Sequence, residues 1–169
     1  MTHQTTGRGR VTGLEIDITA LLRADDGETQ PVSVTVYDPH LADLKAHNVV
    51  LDGTLTQLDD RLLLTATATA ELELTCARCL EPFQLAANAT LRDEFADQPT
   101  EEQFPLGRDR VDLAPAVRAG LLLNIPAQPI HDPACQGLCD VCGKNLNREP
   151  HQHDRPGPDN PFAELEKLR

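Results

Sequence analysis

The sequence is poor in aromatic residues. Phe, Tyr and Trp together make up 3% of the chain, and Trp is absent. A core must therefore be built from Leu, Val, Ile and Ala, which suits a sheet scaffold better than an aromatic-lined ligand pocket. A length of 169 residues fits a single domain that can bury a real core. We predict one domain over residues 1–169, in which a metal would supplement the core.

Long apolar runs are also missing. The amino terminus has no apolar stretch typical of a signal peptide, and no later run approaches the roughly 18 apolar residues of a membrane span. We therefore expect a cytoplasmic protein with no membrane partner. In a reducing compartment, cysteines are more often metal ligands or redox groups than structural disulfides. The odd number of five cysteines also argues against complete pairing.

Basic residues are scarce as well. The chain has 15 Lys and Arg against 27 Asp and Glu, which gives a net charge of −12. A surface this acidic repels the phosphate backbones of nucleic acids and suits a basic protein partner better.

Residues 11–95 predict an antiparallel β body, because apolar and polar residues alternate with a period of two. The first two strands are centred on Ile16 and Val34, and we expect them to pair as a hairpin across the turn at Asp25-Asp26-Gly27. Leu41 and Leu44 suggest a helical turn. The later strands are placed at Val49–Leu58, Leu62–Cys76 and Phe83–Leu91, with Asp59-Asp60 as a tight turn.

The second half of the chain contains fewer regular elements. Residues 96–110 are predicted to form a polar loop, and residues 112–125 a helix with Asp112 as its N-cap and Pro115 in its first turn. A flexible tail over residues 1–10 and a short helix over residues 160–169 complete the assignment. The predicted fold is mainly β or α+β. It is an antiparallel sheet or partly open barrel, with one covering helix and a metal-binding C-terminal segment.

All five cysteines lie in two clusters. Cys76-Ala-Arg-Cys79 falls at the tip of a predicted β-hairpin, where a turn can direct two thiolates at one point. Residues 131–153 hold the other three cysteines, and within them Cys139-Asp-Val-Cys142-Gly143 has the form of a zinc knuckle. A redox dithiol is the alternative for the second pair, but its usual βαβ context is missing.

Eight side chains are candidate ligands, and a tetrahedral zinc site needs four. The candidates are Cys76, Cys79, His131, Cys135, Cys139, Cys142, His151 and His153. One assignment is a single site of four thiolates, contributed by the two Cys-x-x-Cys pairs. The other makes two sites, one from Cys76, Cys79, His131 and Cys135, and the second from Cys139, Cys142, His151 and His153. The three histidines could also be ordinary surface residues of a polar tail.

The motifs resemble those of the YceD family, the large ribosomal RNA subunit accumulation proteins. The resemblance rests on Cys76-Ala-Arg-Cys79-Leu-Glu-Pro-Phe83, Val111-Asp-Leu113, Leu121-Leu-Leu-Asn-Ile-Pro126 and the run from Gly137 to Asn147, taken in that order. It implies a small bacterial or plastid protein linked to accumulation of large-subunit ribosomal RNA, with a metal site and no established enzymatic activity. Relatives carry Cys-x-Cys after Asn-Leu-Asn, whereas this chain has His151-Gln-His153.

Through this resemblance, we predict a non-enzymatic factor that binds one or two Zn²⁺ ions and assists ribosome biogenesis through a ribosomal or ribosome-assembly protein. Direct RNA contact should be weak or local to Lys144 and Arg148, the basic residues beside the knuckle. The alternative is a cytosolic zinc-dependent hydrolase. It would need a three-ligand zinc with a bound water, and Asp132 or Glu149 as its base.

Overall fold

The computed structural model describes residues 13–153. Its strands are β1 (Glu15–Asp17), β2 (Thr29–Val36), β3 (Ala46–Leu58), β4 (Arg61–Thr75), β5 (Pro82–Ala96), β6 (Phe104–Pro105) and β7 (Arg110–Asp112). A short 3₁₀ helix spans Leu21–Arg23, and one α-helix, α1, spans Ala114–Leu123. No helix within this range is long and apolar enough to cross a membrane. The predicted tail over residues 1–10 and the predicted helix over residues 160–169 lie outside the described residues.

The mainly β architecture predicted from the alternating pattern is confirmed. Five strands form one sheet in the order β2-β3-β4-β5-β6, and every pairing is antiparallel except the short parallel contact of β6 with the end of β5. The sheet stays open and does not close into a barrel. Residues 59–60 join β3 to β4 in a tight turn, and residues 76–81 join β4 to β5 in a longer one; Asp59 at φ 49° and Leu80 at φ 60° adopt the left-handed backbone conformation in these turns.

The core lies on one face of this sheet. Along β4 the residues Leu62, Leu64, Ala66, Ala68, Ala70 and Leu72 are buried, whereas the intervening Thr65, Thr67 and Thr69 are exposed. Helix α1 packs on the buried face against β5 and β4. Gly120 permits this close approach, because a Cβ there would lie 2.2 Å from Cδ2 of Leu91. The missing side chain at Gly120 thus lets the helix lie close to β5.

The predicted pairing of the first two strands is wrong. β1 pairs with β7 in a separate two-stranded sheet, and Ile18 N–H donates to the Asp109 carbonyl at 2.9 Å. β2 pairs instead with β3 over eight residues. Leu14 and Ile18 are both fully buried in the common core, so β1 must lie across it and cannot extend the β2 edge. An alternating pattern shows that a strand forms but does not identify its partner.

Smaller differences between the elements predicted from the sequence and those in the structure also have local causes. The turn at Leu41 and Leu44 is closed by a β-bridge between these two residues, and is not helical. The predicted 96–110 loop contains β6 and leads directly into β7. The helix begins at Ala114, two residues later than predicted. Asp112 still helps to cap it, because its Oδ1 accepts a hydrogen bond from Ala114 N–H at 3.0 Å.

Candidate metal centre

The turn between β4 and β5 holds the first cysteine pair. Cys76 follows the last residue of β4, and its N–H donates to the Glu81 carbonyl at 2.9 Å. Leu80 N–H donates to the Cys76 carbonyl at 3.0 Å, which closes the turn around both thiols. The side chains of Cys76 and Cys79 are both buried. The hairpin tip predicted from the sequence is therefore where this pair lies.

Residues 129–138 pass over that tip, and the backbone holds them there. Ala77 N–H donates to the Pro129 carbonyl at 2.7 Å, and Leu138 N–H donates to the Arg78 carbonyl at 3.2 Å. The Arg78 guanidinium, which lies between the two cysteines in sequence, donates to the carbonyls of Pro133 and Cys135 at 3.1 and 2.9 Å. These contacts bring His131 and Cys135 to the first cysteine pair.

We name Cys76, Cys79, His131 and Cys135 the hairpin group. Their four ligand atoms all lie within 4.8 Å of one another. Cys76 Sγ is 3.9 Å from Cys135 Sγ, and Cys79 Sγ is 3.5 Å from His131 Nδ1. The three cysteines are buried and His131 is exposed. The group therefore offers four soft donors at a single point, at the rim of the protein body.

Cys139, Cys142, His151 and His153 form the knuckle group, and their ligand atoms also lie within 4.8 Å of one another. Gly143, at φ 73°, turns the chain so that its N–H donates to the Cys139 carbonyl at 2.8 Å. Cys142 Sγ lies 3.1 Å from His151 Nε2. The opposite ring nitrogen, Nδ1, donates to the Glu149 carbonyl at 2.6 Å. This bond fixes the ring so that Nε2 points at the thiols.

Backbone N–H groups favour the thiolate form in both groups. Burial raises the pKa of Cys76, but hydrogen bonds from the Cys79 N–H and from His131 outweigh it and lower the pKa to about 5. The N–H groups of Cys142 and Val141 lower the pKa of Cys139 to about 6. The lowered pKa therefore favours the thiolate form of the first cysteine in each Cys-x-x-Cys turn.

The pKa values of Cys79 and His151 depend on the groups beside them in each site. The Glu81 N–H lowers the pKa of Cys79, but burial and the nearby thiols together raise it more, because two thiolates repel each other. The Glu149 carbonyl and the Cys139 sulfur raise the pKa of His151. A cation placed among these donors would favour the deprotonated form of each one.

All eight predicted ligands fall into these two groups, with the same membership as the two-site assignment. The structure does not bring Cys139 and Cys142 together with Cys76 and Cys79, which the single four-thiolate site would require. Lys144 and Arg148 lie beside the knuckle group as expected. Each is held by a carboxylate at 2.6 Å, that of Glu149 for Lys144 and that of Glu81 for Arg148.

Two further residues support the hairpin group and were not identified as site residues from the sequence. Asn147 Nδ2 donates to Cys135 Sγ at 3.4 Å, while its Oδ1 accepts a hydrogen bond from Gln136 N–H at 2.8 Å. Arg78 ties Cys135 to the hairpin tip, as described above. The Asn-Leu-Asn motif was the available signal for Asn147, but nothing in its spacing relates it to a cysteine twelve residues earlier.

A family model described as "Large ribosomal RNA subunit accumulation protein YceD" matches residues 64–169. An uncharacterised protein of Mycobacterium tuberculosis is 33% identical over 118 residues, which cover 64% of this chain and 56% of that protein. A Zea mays protein named "Large ribosomal RNA subunit accumulation protein YCED homolog 1, chloroplastic" is 23% identical over 134 residues, or 59% and 46% of the two chains. The chain thus spans about half the length of the curated relatives it matches. No solved structure matches it.

Proposed function

The chain belongs to the YceD family, and from this membership we propose that it is a zinc-binding factor that assists ribosome biogenesis, in the accumulation or processing of large-subunit ribosomal RNA. One observation carries the proposal: the match to the family model covers residues 64–169, which include both Cys/His groups. The maize relative is named for large ribosomal RNA subunit accumulation. We place the action of this chain in the cytoplasm.

The donor geometry supports zinc as the metal. In a tetrahedral site with Zn–S near 2.3 Å and Zn–N near 2.05 Å, two sulfurs are about 3.8 Å apart, and a sulfur and a nitrogen about 3.5 Å apart. The hairpin group has corresponding distances of 3.9 and 3.5 Å, whereas the sulfur–nitrogen distance of 3.1 Å in the knuckle group is shorter and would have to lengthen around an ion. Thiolates and imidazoles are the donors that zinc prefers, while Mg²⁺ and Ca²⁺ prefer oxygen.

The same geometry favours a structural role over catalysis. Each group offers four side-chain donors, so a bound zinc would keep no position for a reactive water. The two carboxylates that could serve as bases for a hydrolase are engaged elsewhere. Asp132 Oδ1 accepts from Ala134 N–H at 2.7 Å, and Glu149 pairs with Lys144. No observation favours the hydrolase.

A basic protein is the proposed partner, either a ribosomal protein or a ribosome-assembly protein. The net charge of −12 opposes tight binding to phosphate backbones. Lys144 and Arg148, which could contact RNA locally, already neutralise carboxylates of this chain. Gel-shift titrations with ribosomal RNA fragments over a salt series test this. Tight binding by the isolated protein that falls steeply with salt would contradict it.

The biogenesis role is tested by depletion in the source organism. We expect the ratio of large-subunit to small-subunit ribosomal RNA to fall, and to recover when the intact chain is supplied. A variant with Cys76 and Cys135 both changed to Ser should fail to restore it, whereas Val141→Ser, an exposed position inside the knuckle, should restore it. A normal ratio after depletion would contradict the proposed function. Elemental analysis of purified protein tests zinc separately, with two ions per chain expected.

A further inference from the structure

The sheet has one long strand edge without a strand partner. Among residues 13–153, β5 pairs with β4 along its whole length, but on its other side β6 covers only Phe95 and Ala96. Residues from Phe83 to Glu94 therefore present a free row of backbone N–H and C=O groups at that edge. Unpaired edges of this kind are templates for another strand.

Between Phe83 and Leu91 this edge lacks the features that protect sheet edges, and the charged residues Arg92, Asp93 and Glu94 follow only at its end. The nine residues Phe83-Gln-Leu-Ala-Ala-Asn-Ala-Thr-Leu91 contain no charge, no proline and no glycine. The opposite edge differs. β2 is shorter, has Pro31 within it, and its Gln30 side chain bonds the Asp17 carbonyl at 2.9 Å. Charge and proline normally prevent edge-to-edge pairing, so the exposed β5 edge is available for it.

An exposed leucine lies beside the same edge. Helix α1 presents Ala116, Gly120 and Leu123 on one side at helical spacing, and Gly120 contacts Ala89 and Leu91 of β5. After the helix the chain continues to Ile130, and Ile130 and Phe83 both pack against the buried cysteines of the hairpin group. Leu123, one turn beyond Gly120 on the same side of α1, therefore lies at the β5 side of the sheet. Its side chain is 88% exposed, the largest exposure among the bulky apolar residues described.

We propose that the β5 edge binds the β5 edge of a second copy of this chain, in an antiparallel pairing with its two-fold axis at Asn88. A strip without charge suits a copy, because two identical strips bring no like charges face to face. Two chains of net charge −12 can approach closely only along an uncharged strip, and such a strip offers a basic peptide no carboxylate. The result is one continuous sheet in which β2, β3, β4 and β5 of one copy join the same four strands of the other, eight strands in all, with Leu123 of each copy beside the junction.

The sequence of β5 is compatible with itself in this register. On the helix side, Leu85 lies opposite Leu91 and Ala87 opposite Ala89. On the open side, Gln84 lies opposite Arg92, and Ala86 opposite Thr90. A shift of the axis by one residue to Ala87 would place Glu81 opposite Asp93, which brings two carboxylates together. The axis at Asn88 avoids that contact.

Light scattering coupled to size-exclusion chromatography tests the proposal, with reductant present because the five cysteines are free. At protein concentrations of about 1 to 100 µM, the intact chain should reach twice its mass of 18.5 kDa.

Asn88→Lys puts two lysines face to face at the axis, and should raise the dimer dissociation constant at least about tenfold. Leu123→Glu should also raise the dimer dissociation constant. The matched control is Thr54→Lys, on the same open face but two strands from the edge, which should leave it unchanged.

Hydrogen exchange locates the contact. Amides within Phe83–Leu91 should become more protected as the protein concentration rises, and Asn88→Lys should abolish this dependence. A chain that is monomeric at every concentration overturns the proposal, as does a dimer that Asn88→Lys and Thr54→Lys leave equally intact. If these amides are protected in a monomer, another segment of the same chain covers the edge. If only an added Lys-rich peptide protects them, the occupant is a basic partner. Either result also overturns it.

Discussion

The hairpin group and the knuckle group begin with the same Cys-x-x-Cys turn but differ in what their remaining ligands connect. In the hairpin group, Cys76 and Cys135 are 59 positions apart in sequence, and the three thiols are buried. In the knuckle group, all four ligands lie between Cys139 and His153, and only Cys139 is buried. One local motif can therefore hold distant parts of a fold together in one place and shape a surface loop in another.

This difference has an energetic consequence. An ion in the hairpin group would close a long loop and fix residues 129–138 against the sheet, so its binding energy would contribute directly to folding. An ion in the knuckle group would order only a short segment that is already closed by local backbone hydrogen bonds. We therefore expect the hairpin ion to control stability and the knuckle ion to control the shape of the surface beside Lys144 and Arg148.

The largest effect should follow Cys76→Ser. We expect it to lose one zinc per chain and about 4 kcal/mol or more of unfolding free energy, because a ligand at the junction of two segments is removed. Elemental analysis and denaturant unfolding measure the two quantities. The matched control is Cys142→Ser, which should also lose one zinc but much less stability, since Cys142 is exposed. Equal losses of stability would contradict the difference between the groups.

Chelation should separate the two ions kinetically. We expect a chelator to remove zinc in two phases, with the knuckle ion released at least about tenfold faster, because its ligands open to solvent without disturbing the core. The released metal can be followed with a chromogenic chelator. Cys142→Ser should lack the fast phase and keep the slow one. A single phase in the intact protein would show that the two groups act as one.

Asn147→Ala should weaken the hairpin group although Asn147 lies in the knuckle segment. Loss of its hydrogen bond to Cys135 Sγ is expected to lower zinc affinity there by about tenfold or more, as removal of such supporting contacts does in other sites. Competition with a chelator of known affinity measures this. Lys144→Ala is the control, because the side chain of Lys144 forms its ion pair with Glu149 and not with a ligand of the hairpin group. If only the fast-released ion weakens, Asn147 supports the other group.

The smallest effect should come from Asp93, in the part of the hairpin farthest from both groups. Partial burial raises the pKa of Asp93, so the folded state favours its protonated form. Its contribution to the free energy of unfolding is fully present at pH values below the pKa of Asp93 in the unfolded chain. This contribution is lost as the pH rises through the pKa of Asp93 in the folded state. Asp93→Asn should therefore stabilise the protein at pH 7 by less than about 1 kcal/mol, because solvent screens this carboxyl. The gain should fade as the pH falls.

A double variant tests whether Asp93 and the metal-binding end of the sheet contribute independently to the free energy of unfolding. The gain from Asp93→Asn should be the same in the intact chain and in the Cys76→Ser variant, because Asp93 pairs with Leu64, about 35 Å along the hairpin from the cysteine turn. Denaturant unfolding at pH 7 compares the four proteins. A gain that depends on Cys76 would mean that the metal-binding end and the core end of the sheet are coupled.

The sequence alone determined the local features of this protein. Period-two alternation identified the strands of the β body, and Asp59-Asp60 marked a tight turn that the structure contains. The spacing of each Cys-x-x-Cys and the glycine after Cys142 indicated chelating turns. These features follow from rules that operate over a few residues: side-chain period, turn chemistry and the reach of adjacent ligands.

The tertiary structure determined which strands pair and which distant segments bring the ligands together. β1 joined β7 because Leu14 and Ile18 are buried in the shared core, and His131 and Cys135 joined the first cysteine pair through bonds that involve Arg78 and Ala77. Within residues 13–153, the β5 edge likewise stays open because β6 is only two residues long. No local pattern encodes these choices, because each depends on which distant surfaces pack together and which backbone groups they satisfy.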